Sequence, residues 1–220
     1  MSEPQRDAGQ PLNAQIINDG AGRQDAVDLG SGIWMSKDVS NLYLVTTPDG
    51  NVLINTGIIY SAAENKRRFD AVSTAPIRKI VFTQSHEDHI GGWPTFNVPG
   101  TETIAQANHP FVRTQYRDLG PAMARRSRRL WSRDQKQELT ERPEPVLTTT
   151  FHDSHAFDLG GRQFELHSVP GGETIDSLVV WLPQDRILFS GDLVEYDATP
   201  YTGDAYLTDW PATLDAIAAL

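Results

Sequence analysis

A short apolar run that empties straight into a cluster of polar side chains restricts this chain more than anything else in it. Residues 79–83, Lys-Ile-Val-Phe-Thr, read as a buried strand, and behind them stands Gln84-Ser85-His86-Glu87-Asp88-His89-Ile90-Gly91-Gly92. His86, Asp88 and His89 offer two borderline-soft nitrogens and a hard oxygen, a donor set suited to a divalent metal. On a loop or a first helical turn, this spacing sends His86 one way and the Asp88-His89 pair another. The segment can therefore serve two adjacent metal positions. The two glycines are expected to turn the backbone tightly and bring it close to the ion.

The surrounding pattern is that of a layered α/β domain. Residues 40–45 alternate as a strand, Thr47-Pro48-Asp49-Gly50 is a turn, and residues 51–57 form the returning strand and its exit. Residues 61–71 read as a helix with Glu64, Lys66, Arg67 and Arg68 on solvent faces, and the strand leading to Gln84 follows. Residues 179–182 and 187–189 form a second hairpin over Pro183-Gln184-Asp185, which ends at Ser190-Gly191-Asp192. Leu207, Trp210, Leu214, Ile217 and Leu220 recur at helical spacing, with Pro211 in the first turn.

Residues 84–92 resemble the His-x-His-x-Asp-His-x-Gly-Gly signature of the metallo-β-lactamase-fold hydrolase superfamily, with Gln84 in place of the first His. The resemblance extends over nearly everything after about residue 25. It implies an αββα sandwich of the metallo-β-lactamase type over residues 25–220, while residues 1–24, rich in Gly, Asn, Gln and Asp, read from their composition as a flexible or wrapping arm. It also implies that the C-terminal part of the fold, with a last ligand, is missing after Leu220. Pro170-Gly171-Gly172-Glu173-Thr174 stands where the family carries Pro-Gly-His-Thr, and is similar to the alkylsulfatase-like branch, which places Glu there. Asn55-Thr56-Gly57 stands in the place of Asp-Thr-Gly, with Asn55 as a turn or supporting residue.

The implied metal ligands are Gln84, His86, Asp88, His89, Glu173 and Asp192, with Asp192 as the bridge between both ions. Asp88 and Asp192 are the implied catalytic carboxylates. Gln84 and Glu173 both replace nitrogen by oxygen at the first metal. This favours harder ions such as Mn²⁺, Fe²⁺ or Ca²⁺ relative to the family norm, with zinc the principal expectation and one or two ions bound. The resemblance implies a hydrolase in which a divalent ion makes hydroxide available from water at neutral pH. The expected substrate is an ester, anionic as in a sulfate ester. A lactone or other neutral ester is the alternative substrate, and a non-catalytic metal-binding member is the alternative function.

Composition narrows the classes further. A chain of 220 residues with 39% hydrophobic content can bury one large core. A net charge of −10 argues against nucleic acid as the main partner, and the resemblance implies a small-molecule substrate. The absence of cysteine excludes thiol catalysis, cysteine-ligated zinc and disulfides. No apolar stretch approaches the roughly 18 residues of a membrane span, so a cytoplasmic protein is expected, with homo-oligomers allowed. Against the acidic total, Arg125, Arg126, Arg128, Arg129 and Arg133 crowd between Pro121 and Pro143. They read as a solvated helix face, and alternatively Arg125, with Arg113 and Arg117, reaches the site mouth and holds an anionic group. Trp93 is expected to pack over the metal loop or line the pocket. His109 reads as a helix-end residue. His152, His155 and His167 read as surface polar residues, with His155 or His167 as a substitute ligand.

Overall fold

The structure is a computed structural model, and it describes residue 20 and residues 22–122, 125, 144–195 and 199–220. The arm expected over residues 1–24 and the arginine-rich stretch beyond Arg125 therefore lie almost wholly outside the described residues.

Two sheets face each other. The first runs β1 (Val27–Gly30), β2 (Ile33–Ser36), β3 (Leu42–Thr47), β4 (Gly50–Ile54), β5 (Ile77–Val81), β6 (Glu102–Gln106) and β7 (Thr149–Phe151), in that spatial order. Pairings are antiparallel from β1 to β4 and parallel from β4 to β7. The second sheet is antiparallel, in the order β11 (Ile187–Phe189), β10 (Leu178–Leu182), β9 (Arg162–Ser168) and β8 (Ser154–Leu159).

The period-two alternation of the strands creates the layers. Val45 on β3, Val52 and Ile54 on β4, and Val81 on β5 point inward. They meet Phe164 and Leu166 of β9 and Leu178, Val180 and Leu182 of β10 in the core between the sheets. The intervening residues Leu44, Leu53 and Ile80 face outward, against Phe69, Ile90 and Phe96. Phe69 belongs to α1 (Ala62–Asp70), Ile90 to the one-turn α2 (Glu87–Ile90), and Phe96 to the one-turn α3 (Trp93–Phe96). On the far side, Val179 of β10 meets Trp210 and Ile217 of α5 (Trp210–Ala218). A further helix, α4 (His109–Asp118), follows β6. The order helix, sheet, sheet, helix is the αββα sandwich. Every residue of β4 is buried because this strand is covered on both faces.

Two expectations are corrected here. Arg68 is buried, not solvated: its guanidinium bonds Ser36 Oγ, Asn65 Oδ1, Glu64 Oε1 and the carbonyls of Gly20, Arg23 and Lys37. The glycine pair does not draw on the conformational freedom of glycine to turn, since Gly91 and Gly92 have ordinary φ of −61° and −81°. They are small because backbone meets backbone there. A Cβ on Gly92 would lie 2.1 Å from the Thr56 carbonyl oxygen, and one on Gly91 2.5 Å from that of Glu87.

Candidate metal centre

The loops that follow β4, β5, β9 and β11 converge at one edge of the sandwich, beyond the carboxyl ends of the parallel strands β4 and β5. Their relative position is set by backbone bonds. Asn55 N–H donates to Val81 O (2.9 Å), Thr56 N–H to His89 O (2.7 Å), and Leu178 N–H to Thr83 O (2.9 Å), the last joining the two sheets. Asn55, in the left-handed region at φ 60°, turns its side chain to Thr83. Its Oδ1 accepts the Thr83 N–H at 3.0 Å and its Nδ2 donates to Thr83 Oγ1 at 3.0 Å. Asn55 is thus a supporting residue, and Thr83 Oγ1 in turn stands 3.3 Å from His89 Nδ1.

Two groups of donors form in this space. His86, Glu173 and Asp192 make one, and Asp88, His89 and Asp192 the other, each with its donor atoms within 4.8 Å of one another. Asp192 is common to both. It sits on a single 3-10 turn, Gly191–Leu193, whose Gly191 at φ 57° packs 2.9 Å, through the position of a would-be Cβ, from Thr83 Oγ1. Gln84 lies between the groups: its Nε2 is 2.9 Å from His86 Nδ1, 2.9 Å from Asp192 Oδ2 and 3.2 Å from His89 Nε2. Turning the amide over would present Oε1 to the same space.

Charge accumulates around these atoms. Burial pulls the His89 imidazole down, but Asp192 and Asp88 hold it up, at about 9. Burial likewise disfavours charge on His86, and Glu173 and Asp204 raise it well above the ordinary value. Burial pushes Glu173 up, offset in part by His86. Asp192 stays below the usual carboxylate range: its burial is overcome by His89, His86 and the Gln84 amide. Glu195, half-buried, is pushed up to about 7 by burial and by Asp192, Glu173 and Asp88. Such a field attracts cations.

Orphaned atoms test the fit of a metal. Glu173 is fully buried, and neither of its carboxylate oxygens has a hydrogen-bond partner, although Oε1 is 3.1 Å from His86 Nδ1. Asp88 Oδ1 is also buried without a partner. A buried carboxylate oxygen without a donor is costly, and a cation removes that cost. The donor set of imidazole nitrogen and carboxylate oxygen suits a divalent ion.

Support for His86 comes from residues that the sequence did not flag. Its Nε2 is 3.1 Å from Asp204 Oδ2, and Tyr116 donates its hydroxyl to the same oxygen at 2.7 Å. The Tyr116 ring stacks on His86 at 5.9 Å, and Tyr201 meets it edge-on. With Nε2–H given to Asp204, Nδ1 is left to face the pocket. No motif surrounds Asp204, so only the folded chain reveals it.

The expected substrate residues behave differently. Arg113 is buried. It forms a fork with Glu144 (3.1 and 2.9 Å) and donates to the Ser85 carbonyl at 3.2 Å, so it braces the metal loop. Trp93 belongs to the outer core, and its indole N–H donates to Thr103 Oγ1 at 3.0 Å. This accounts for its polar edge. Arg117 bonds Thr114 Oγ1 on its own helix, and Arg125 is exposed. His155 stacks between Phe151 and Phe157, and His167 pairs with Glu165 at 3.4 Å, so neither joins a donor group. His109 opens α4, stacks on Phe82 and stands 3.4 Å from Asp176.

Comparison with known proteins agrees with this fold. A family model described as the metallo-beta-lactamase superfamily matches residues 35–220. A linear primary-alkylsulfatase of Pseudomonas sp. (strain ATCC 19151) is 26% identical over 207 residues, covering 80% of this chain and 38% of that protein. A type 2 metallo-beta-lactamase of Bacteroides fragilis is 37% identical over 82 residues, covering 36% of this chain and 33% of its own length. Among solved structures, a stereoselective inverting sec-alkylsulfatase from Pseudomonas sp. superposes with a TM-score of 0.74 at 19% identity, over 93% of this chain and 37% of that one. The matched stretches thus span only about a third of each of these proteins (38%, 33% and 37%).

Proposed function

The chain belongs to the metallo-beta-lactamase superfamily, and from that premise we propose that it is a metal-dependent hydrolase acting on an anionic ester of the sulfate-ester class. The observation that carries the metal dependence is Glu173, fully buried with neither oxygen hydrogen-bonded and with His86 Nδ1 3.1 Å from its Oε1, beside the shared Asp192. The sulfate-ester class is supported by the likeness to the Pseudomonas alkylsulfatase over most of the chain.

In this reading His86 Nδ1, a Glu173 oxygen, Asp192 and the Gln84 amide oxygen hold one ion, and Asp88, His89 and Asp192 hold the other. Zinc fits this set, and the oxygen-rich first position also fits manganese or iron. Bound there, divalent ions lower the pKa of water and polarise the substrate oxygen. The protein's own residues orient these donors. Asp204 and Tyr116 fix the His86 ring, Thr83 and Asn55 fix His89, and Arg113 holds the Ser85 carbonyl and so the loop between Gln84 and His86. Asp192 and Asp88 place negative charge on the ion side, so an anionic substrate is accepted only once cations offset it.

Among the described residues no helix is long and apolar enough to cross a membrane. The test is turnover by the full chain loaded with zinc or manganese, against alkyl sulfates, lactones and phosphodiesters. Sulfate-ester hydrolysis abolished by Asp192→Asn is the expected result. Turnover of lactones alone overturns the substrate class, and turnover of none with ions bound overturns the enzymatic reading.

A further inference from the structure

Ser40 lies in the loop between β2 and β3, and its hydroxyl is the nearest neighbour of the second donor group. It is buried, it donates to Asp88 Oδ2 in a close contact, and its Oγ is 3.1 Å from His89 Nε2. The same His89 nitrogen is 3.1 Å from Asp192 Oδ2 and 3.6 Å from Asp88 Oδ2. Three oxygens therefore converge on one imidazole nitrogen. A hydroxyl that gives its hydrogen to Asp88 keeps two lone pairs. A neutral His89 with its proton on Nδ1 presents a lone pair at Nε2, and Ser40 Oγ, Asp88 Oδ2 and Asp192 Oδ2 then surround that lone pair with further acceptors, a set that one cation satisfies.

The loop is also built to hold this serine still. Asp38 Oδ1 accepts the Val39 N–H at 2.9 Å, and its Oδ2 accepts from Asn65 Nδ2 at 2.7 Å. Asn65 Oδ1 accepts from Ser36 Oγ at 2.8 Å, and the buried Arg68 donates to Ser36 Oγ and, at 3.0 Å, to the Lys37 carbonyl. This network runs from α1 to the residues just before Ser40, and it pre-positions the hydroxyl instead of leaving it on a free loop.

We propose that Ser40 Oγ is a fourth donor to the cation held by Asp88, His89 and Asp192. The second position then has three oxygens and one nitrogen, and so takes hard or borderline divalent ions in preference to soft ones. The proposal rests on the two-ion reading above and adds a ligand to it.

Cobalt(II) is the probe, and the chain's lack of cysteine makes the test clean. In S40C, full chain, the second equivalent of cobalt should bring a near-ultraviolet thiolate-to-cobalt charge-transfer band that the parent lacks. In S40A, affinity for the second equivalent should fall by at least about tenfold while the first is unchanged. Cobalt bound by S40C without that band, or two equivalents bound by S40A as tightly as by the parent, overturns the proposal and leaves the two-ion site standing. A parent chain that binds no cobalt overturns the metal site itself.

Discussion

Freed of ions by a chelator, the protein should lose stability as the solution is made alkaline, and His89 accounts for a definite part of the loss. The residue is buried, and although burial lowers its basicity, Asp192 and Asp88 raise it from 6.5 to about 9. A folded-state pKa above the unfolded one means that the imidazolium stabilises the fold fully below pH about 6.5, and that this contribution is lost as pH rises through about 9. At about 1.4 kcal/mol per pH unit, the rise corresponds to about 3 kcal/mol. For a chain of this length, that is about 6–12 °C in melting temperature. His86 is raised as well, through Glu173 and Asp204, and adds in the same direction. The assay is calorimetric melting in excess chelator between pH 6 and pH 10, for the parent and for His89→Gln. A parent that melts at a constant or rising temperature over this range, or a His89→Gln variant that falls as steeply, refutes the reasoning. Ion binding must displace the same protons, so cation affinity should climb across this range.

Other perturbations give further checks. Gly92→Ala forces a methyl group onto the Thr56 carbonyl and should cost about 3 kcal/mol in urea denaturation. Arg113→Met removes the fork to Glu144 and leaves the Ser85 carbonyl without that donor. It should lower stability by about 1–3 kcal/mol and weaken the first ion about tenfold by calorimetric titration. Glu195→Gln relieves crowding with Asp192, Glu173 and Asp88, and should raise the melting temperature of the chelated protein at pH 8 while leaving it nearly unchanged below pH 4, under the unfolded pKa.

The layers were readable because alternation survives folding. Leu44 and Val45, or Leu53 and Ile54, are adjacent in sequence and go to opposite faces of one sheet, as a period of two requires. The loop after β5 was readable because its donors are local. What escaped the sequence was set by distant partners. Arg113 looked like a substrate clamp until Glu144, 31 residues away, met its guanidinium. Arg68 looked solvated, and it is held by the carbonyls of residues before β1 and after β2. Ser40 looked like the start of a strand, and Asp204 stood in a segment without pattern. Each gains its meaning from a loop elsewhere in the chain. The glycines were noticed, but one reason for them was not: they admit the Thr56 and Glu87 backbones.

The shared carboxylate is the centre of the account, and ion counting by elemental analysis after equilibrium dialysis tests it most directly. The parent should hold two divalent ions per chain, matching the two donor groups. Glu173→Gln should lose one ion, Asp88→Asn the other, and Asp192→Asn both. A parent with no stoichiometric ion, or an Asp192→Asn variant that still holds two, contradicts it.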